Sequence, residues 1–361
     1  MEGLEVNPGW WRGRRVFVTG HTGFKGAWLS LWLQRLGADV TGYSLAPPSQ
    51  PNLFETADVA RGMRSISGDV RDASRVAAAL SDARSSVVFH LAAQSLVRTS
   101  YLEPLATYET NVIGTGNVLQ AIAGDAGVRA AVMVTSDKCY APAPDARRHR
   151  EDDALGGNSP YAASKAAAEL VTSGYRGVLA AAASVAVVAT ARAGNVIGGG
   201  DWARDRLVPD VISAFIARKP ARVRNPKAVR PWQHVLDPLE GYLTLAERLC
   251  EEGAPFAEAW NFGPAEDHER PVGALADFLA ERWGDGASWQ HSDDGGTGLR
   301  EEPELRLDSS KAAQRLGWRA HIPLEPALGS VVEWHKSQRA GANPRDLVEA
   351  DIERLRVAAV P

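Results

Sequence analysis

From residue 15 onward, short apolar and β-branched runs alternate with longer stretches in which apolar residues recur every three or four positions. The short runs are RVFVT (15–19), ADVTGY (38–43), SVVFHLAA (86–93) and AAVMVTS (130–136). They are almost wholly apolar, as strands become when both faces of a sheet are covered. An amphipathic stretch at 25–36 separates the first two. The pattern predicts an α/β fold, a doubly wound parallel sheet flanked by helices. Further helices are expected near 207–218, 272–283 and 325–336, and the polar tail after residue 340 is expected to be peripheral. The stretch APAPDARRHREDDALGG (141–157) reads as an exposed loop, either a plain solvated one or an active-site flap, ahead of a helix that opens near Tyr161. Past residue 193 the chain changes to GNVIGGGDW and then to the basic, proline-punctuated KPARVRNPKAVRPWQHV (219–235). Two domains are therefore expected, 10–193 and a smaller mixed α/β substrate domain over 194–361, with some segments interleaved.

Composition narrows the classes. A chain of 361 residues, 45% hydrophobic, can bury a large core. The net charge of −4 is spread along the chain without a basic stripe, which argues against nucleic acid as a partner. No uninterrupted apolar run approaches the length of a membrane span, and the first residues lack a leader pattern, so a cytoplasmic protein without membrane contact is expected. Cys139 and Cys250 are far apart and the eight histidines form no paired ligand motif, so no metal site is expected.

Gly20-His21-Thr22-Gly23-Phe24-Lys25-Gly26 directly follows the first strand and opens a helix. Glycines placed there allow a tight turn and close approach of backbone N–H groups to a pyrophosphate. The loop thus predicts a dinucleotide site in a Rossmann-like domain. The second strand runs into Tyr43-Ser44-Leu45-Ala46, with neither an acid for ribose hydroxyls nor an arginine for a 2′-phosphate. That tilts the choice to NAD and leaves NADP open.

Tyr161 and Lys165 stand four apart, on one face of a helix. A tyrosine, with a pKa of about 10 in water, needs a nearby cation to act as a base at neutral pH, and the lysine supplies it. Ser136, at the end of the fifth strand, offers a hydroxyl to orient a substrate oxygen. Asp137 and Lys138 go beyond what hydride transfer requires. Once a hexose C4 hydroxyl is a ketone, loss of water across C5 and C6 needs a base at C5 and an acid at the C6 hydroxyl. Asp137 is assigned as that acid, in a buried setting; Lys138 is the base or settles the enolate.

The segments FVTGHTGFKGAWLSLWLQRLGADVTGYSL, VFHLAAQSLVR, TSDKCY, YAASKAAAELV, ARAGNVIGGGDWARDRLVPD and RNPKAVRPWQHV, spread over residues 9–334, resemble the CDP-glucose 4,6-dehydratases of the extended short-chain dehydrogenase/reductase superfamily. Ser-Asp-Lys is the specific part, since the dTDP-glucose dehydratases carry Thr-Asp-Glu there. The resemblance implies conversion of CDP-glucose to CDP-4-keto-6-deoxyglucose plus water, the hydride from C4 returning to C6, in deoxysugar synthesis. It also implies a homo-oligomer, dimer or tetramer. For the cofactor it implies Gly20, Thr22, Gly23, Phe24, Gly26, Ser44, Asp69 at the adenine, Val70, Leu91, Ala92, Ala93, Tyr161 and Lys165, with Asn111 supporting the lysine through a kinked helix and water. A helix N-cap is the alternative role for Asp69, although Asp72 could fill it. For the nucleotide sugar it implies Gln94 and Ser95 facing glucose, Asn195 at the sugar phosphate, and Arg206 and Arg230 near the diphosphate. Other readings are a dehydratase of another nucleoside diphosphate hexose, a nucleotide-sugar 4-epimerase, favoured if Asp137 and Lys138 face solvent, and a non-enzymatic cofactor sensor, which would not need Ser136, Tyr161 and Lys165 together.

Overall fold

In the computed structural model, residues 6–142, 147–264, 268–292 and 305–357 are described. The four expected runs form β1 (Arg15–Thr19), β2 (Asp39–Ser44), β4 (Val87–His90) and β5 (Ala130–Val134), and β3 (Arg64–Ser67) and β6 (Val187–Ala193) join them. The remaining strands are β7 (Asn195–Ile197), β8 (Ala221–Val223), β9 (Val229–His234), β10 (Ala259–Phe262), β11 (Glu269–Pro271) and β12 (Trp289–His291). The main sheet runs β10-β6-β5-β4-β1-β2-β3, and all its pairs are parallel. Strand order reverses between β1 and β4. Clefts for ligands open at such a reversal, beyond the carboxyl ends of the strands.

The principal helices are α1 (Phe24–Arg35), α2 (Ala73–Ala83), α3 (Gly114–Ala123), α4 (Pro160–Ala181), α5 (Leu207–Ile216), α6 (Leu236–Glu252), α7 (Val272–Trp283), α8 (Leu324–Arg339) and α9 (Pro344–Val357). Alternate residues of each strand feed different faces of the sheet, because side chains alternate along a strand. Phe17, Val88, Ala131 and Met133 pack with Val76 and Leu80 of α2 and Val118 of α3. Val16, Val18, Phe89 and Val132 join the other cluster, which continues into Leu275, Leu328 and Trp334. Both halves of the chain thus share one apolar cluster, and β10 extends the main sheet.

Two expectations change. The tail is not peripheral: Val348 and Ile352, one turn apart on α9, are fully buried, and Arg345 reaches Gln34 and the carbonyls of Asp58 and Arg61. Burial of two branched side chains outweighs the polar average of the segment. The stretch 141–157 is anchored as well as exposed, although residues 143–146 lie outside the described residues. Ala141 N–H donates to the Ala154 carbonyl, His149 is buried, and its backbone bridges to Leu307.

Candidate active site

The glycine loop is built by contact. Gly20 has φ of +77°, and a Cβ there would stand 2.6 Å from the Ala92 nitrogen. At Gly26 a Cβ would come to 2.1 Å from the Gly20 carbonyl oxygen. Only glycine allows helix α1 to start this close to β1. Gly23 caps α1 with no side-chain bond, which leaves the first N–H groups of the helix for an anion. Thr22 and Ser44 share a hydroxyl hydrogen bond of 2.8 Å, and Thr22 also donates to the Leu45 carbonyl. The Phe24 ring would lie 3.1 Å from a Cβ on Gly198. These contacts fit a dinucleotide: a bare helix N-terminus, a backbone with no Cβ to obstruct it, and the small residue Ala92 against Gly20.

Asp69 follows β3, its carboxylate bound by the Arg71 guanidinium at 2.6 Å and held below the usual carboxylate range by that partner. The cap of α2 is Asp72, which accepts from the Arg75 N–H. Val70 is buried under Gly114. Leu91, Ala92 and Ala93 follow β4, and Ala92 N–H donates to Thr19.

Asn111 is buried in a π-helical turn, Glu109–Ile113, just ahead of α3. Such turns displace a residue from the helical ladder and often occur at functional sites. Its amide donates to Ser164 Oγ and to the Gln94 carbonyl, both at 2.9 Å, and accepts from Gln94 N–H at 2.8 Å. The helix is π-wound at this point, and Asn111 reaches α4 directly through Ser164. Ser164 in turn donates to the Tyr161 carbonyl at 2.7 Å, while Ser100 Oγ accepts from Tyr161 N–H. Gln94 spends its own amide on Leu96 and Thr107 rather than on open space.

On α4 the tyrosine and lysine lie in the wall of the site, Tyr161 7% and Lys165 6% exposed. Lys165 Nζ donates to the Val134 carbonyl at 3.3 Å. Burial lowers Lys165 to about 8, against the opposing Glu169 carboxylate. Burial raises Tyr161, while Lys138 and a hydrogen bond with Ser136 oppose the rise. Ser136 donates to Asp137 Oδ1 at 3.0 Å and accepts from Lys138 N–H; Lys138 Nζ stands 3.5 Å from the same carboxylate oxygen. Asp137 is 3% exposed. The structure thus joins Ser136, Asp137, Lys138, Tyr161 and Lys165 in one cluster. A tyrosine hydroxyl whose ionisation nearby cations favour against burial, beside a buried carboxyl and an amine, can move protons at two neighbouring carbons of one bound molecule.

The substrate-side residues are more dispersed. Asn195 opens β7, and a Cβ on the preceding Gly194 would lie 3.0 Å from Asp137 Oδ2. Arg206 caps α5, pairs with Asp201 at 3.1 Å and reaches Ser95 Oγ at 3.4 Å. Arg230 is on β9, opposite Arg270 of β11 and two residues from Trp232, the partner of Asn195.

Four neighbours were missed from the sequence. Lys25 donates to Tyr242 at 3.4 Å, and burial together with Arg206 and Lys165 lowers it to about 7, Asp137 opposing. Tyr242 is fully buried on α6 and acidified by nothing; burial, with Asp137 and Tyr161 near, raises it. Glu169 and Gly194 complete the set. Glu169 alone left a signal, its i, i+4 spacing from Lys165.

With this geometry in place, comparison with known proteins decides the family. The model of the NAD dependent epimerase/dehydratase family matches residues 16–263. The chain belongs to that family. It is 46% identical over 336 residues to the CDP-glucose 4,6-dehydratase of Salmonella typhimurium, covering 92% of this chain and 93% of that one. A dTDP-glucose 4,6-dehydratase of Streptomyces venezuelae, solved with NAD bound, superposes with a TM-score of 0.76 at 26% identity, over 92% of this chain and 99% of that one. The UDP-glucose 4-epimerase of Thermotoga maritima gives a TM-score of 0.76 at 22% identity, over 90% and 99%, and shares the fold. Within the family, epimerases and dehydratases use one scaffold, so the residues beside Tyr161 must distinguish them.

Proposed function

We propose that the protein is a CDP-glucose 4,6-dehydratase, converting CDP-D-glucose to CDP-4-keto-6-deoxy-D-glucose and water. The observation that carries this reading is Asp137, buried, linked through Ser136 to Tyr161 and accompanied by Lys138. An epimerase needs neither an acid at C6 nor a base at C5. The 46% identity to the Salmonella enzyme supports the same activity and favours cytosine as the base.

Tyr161, its phenolate favoured by the Lys165 charge, takes the proton of the C4 hydroxyl while Ser136 orients that oxygen. NAD, held by the glycine loop, Asp69 and the segment 91–93, supplies a reversible two-electron acceptor when bound. With C4 a ketone, the C5 proton becomes acidic. Lys138 takes it or steadies the enolate, and Asp137 delivers a proton to the C6 oxygen, which leaves as water. The hydride removed from C4 is given back at C6 as a proton returns to C5, so the product is 6-deoxy and the ketone stays at C4. Asn195, Ser95, Arg206 and Arg230 serve the nucleotide sugar, the two guanidiniums suiting its diphosphate. Asn111 positions α4. Family resemblance further supports a homo-oligomer and a cytoplasmic location.

Purified protein supplied with NAD and CDP-glucose is expected to yield the alkali-induced absorbance of a 4-keto-6-deoxy sugar, with weaker turnover of dTDP-, UDP- and GDP-glucose. Formation of a C4 epimer alone, or no product from any nucleoside diphosphate glucose, refutes the reading.

A further inference from the structure

Behind the reacting groups lies a buried network that the proposed chemistry does not use. Glu169, one turn beyond Lys165 on α4, is 3% exposed. Its two carboxylate oxygens accept from Thr135 Oγ1 at 2.5 Å, Thr190 Oγ1 at 2.7 Å and the Arg192 guanidinium at 2.8 Å. Arg192 also donates to Tyr140 Oη at 2.7 Å, and Tyr140 donates to Asn261 at 2.6 Å. Thr135 and Tyr140 flank the Ser136-Asp137-Lys138-Cys139 segment on either side. One carboxylate therefore ties both ends of that segment, directly or through Arg192, to the helix that carries Tyr161 and Lys165.

We propose that Glu169 is a positioning residue that registers the Ser136–Lys138 segment against α4 and holds Lys165 in its charged form. The second role follows from the groups around the amine. Glu169 and Cys139 act on Lys165 from α4 and from the turn after β5. Lys25 of α1 and His90 of β4 also interact with it, and Tyr161 stands one turn before it. Burial keeps the Cys139 thiol neutral and lowers His90 to about 3, so neither carries charge at neutral pH. Burial and Lys25 disfavour the ammonium, and Glu169 is the anion that opposes them.

The sign is definite. A protonated Lys165 is the working form, present below its pKa and lost as pH rises through it. Removing the Glu169 charge lowers that pKa, so the charged form is lost at lower pH. A one-unit move reduces the charged fraction roughly tenfold on the alkaline side and hardly at all well below the midpoint.

The test uses Glu169→Gln and, because an orphaned guanidinium could unfold the chain, the double variant Glu169→Gln/Arg192→Met. The Lys165 amine is titrated by NMR in protein labelled with [15N]lysine and assigned by Lys165→Arg. Midpoints lower than in the unchanged protein in both variants, with Glu169→Asp restoring much of the shift, are the expected result. An unmoved midpoint in the folded double variant overturns the inference. A second arm rests on the dehydratase reading: the alkaline limb of kcat should move down with the amine midpoint. Absence of product from the unchanged protein defeats that reading alone, because the amine titration still decides the role of Glu169.

Discussion

The wall that carries Tyr161 and the rim that carries Arg206 are built differently. The groups that place Tyr161 and Lys165 have internal partners: Ser100 and Ser164 hold the Tyr161 backbone, Asn111 holds Ser164, and Val134 holds Lys165. Asp137 and Glu169 are 3% exposed. Arg206 is half-buried, and its bonds go to Asp201 and, at 3.4 Å, to Ser95. Nearby Arg98 and Arg224 share Asp205 at 3.8 and 3.4 Å. Groups that move protons must be placed before substrate arrives, because misplacement by an ångström is costly in rate. Groups that hold a diphosphate can wait in exchangeable ion pairs, which contribute little in water and can be traded for phosphate oxygens.

The largest test of this contrast is Tyr161→Phe, which should remove the first proton transfer and lower kcat by about 10⁴, with no reduced cofactor formed in a single turnover. Next comes Asp137→Asn. Its kcat should fall by about 10² to 10³, yet reduced cofactor and a 4-ketoglucose nucleotide should accumulate, since oxidation precedes its step. Equal and early loss in both variants would break the division between oxidation and elimination. On the rim, Arg206→Met should raise KM somewhat over tenfold, the loss of about 1.5 kcal/mol of charged hydrogen bonding, and leave kcat nearly unchanged. KM of the unchanged protein should also rise with salt, more than in Arg206→Met. A large fall in kcat for Arg206→Met would place that residue with the wall. The smallest effect is expected from Asp72→Ala, which removes the cap of α2 away from both regions. A slightly lower melting temperature with unaltered kcat and KM is the outcome, measured by thermal unfolding and steady-state kinetics.

Much of the wall was legible because its signals are local. A glycine loop between strand and helix, and a tyrosine and lysine one turn apart, carry their geometry in their spacing. The cap at Asp72 followed from the same kind of reasoning. Lys25, Tyr242 and Gly194 were illegible for the opposite reason. Lys25 lies 217 residues from the tyrosine it bonds, and Gly194 matters only because Asp137 stands beside it. Asn111 gave a partial signal: an asparagine inside a helix needs a reason, but its actual partners Gln94 and Ser164 lie on other elements.

By itself the sequence determined the parallel sheet, the dinucleotide loop, the pairing of Tyr161 with Lys165 and the candidate acid and amine after β5, because periodicity and short spacings translate directly into shared faces and turns. Only the tertiary structure decided that the two halves share one apolar cluster, that the tail buries Val348 and Ile352, that Asp137 is shielded from water, and that Glu169 binds the segment ahead of Ser136 to the helix behind Lys165. Burial and charge–charge proximity depend on which distant segments meet, and the sum of those contacts, not any single stretch of chain, sets how strongly Lys165 and Tyr161 hold their protons.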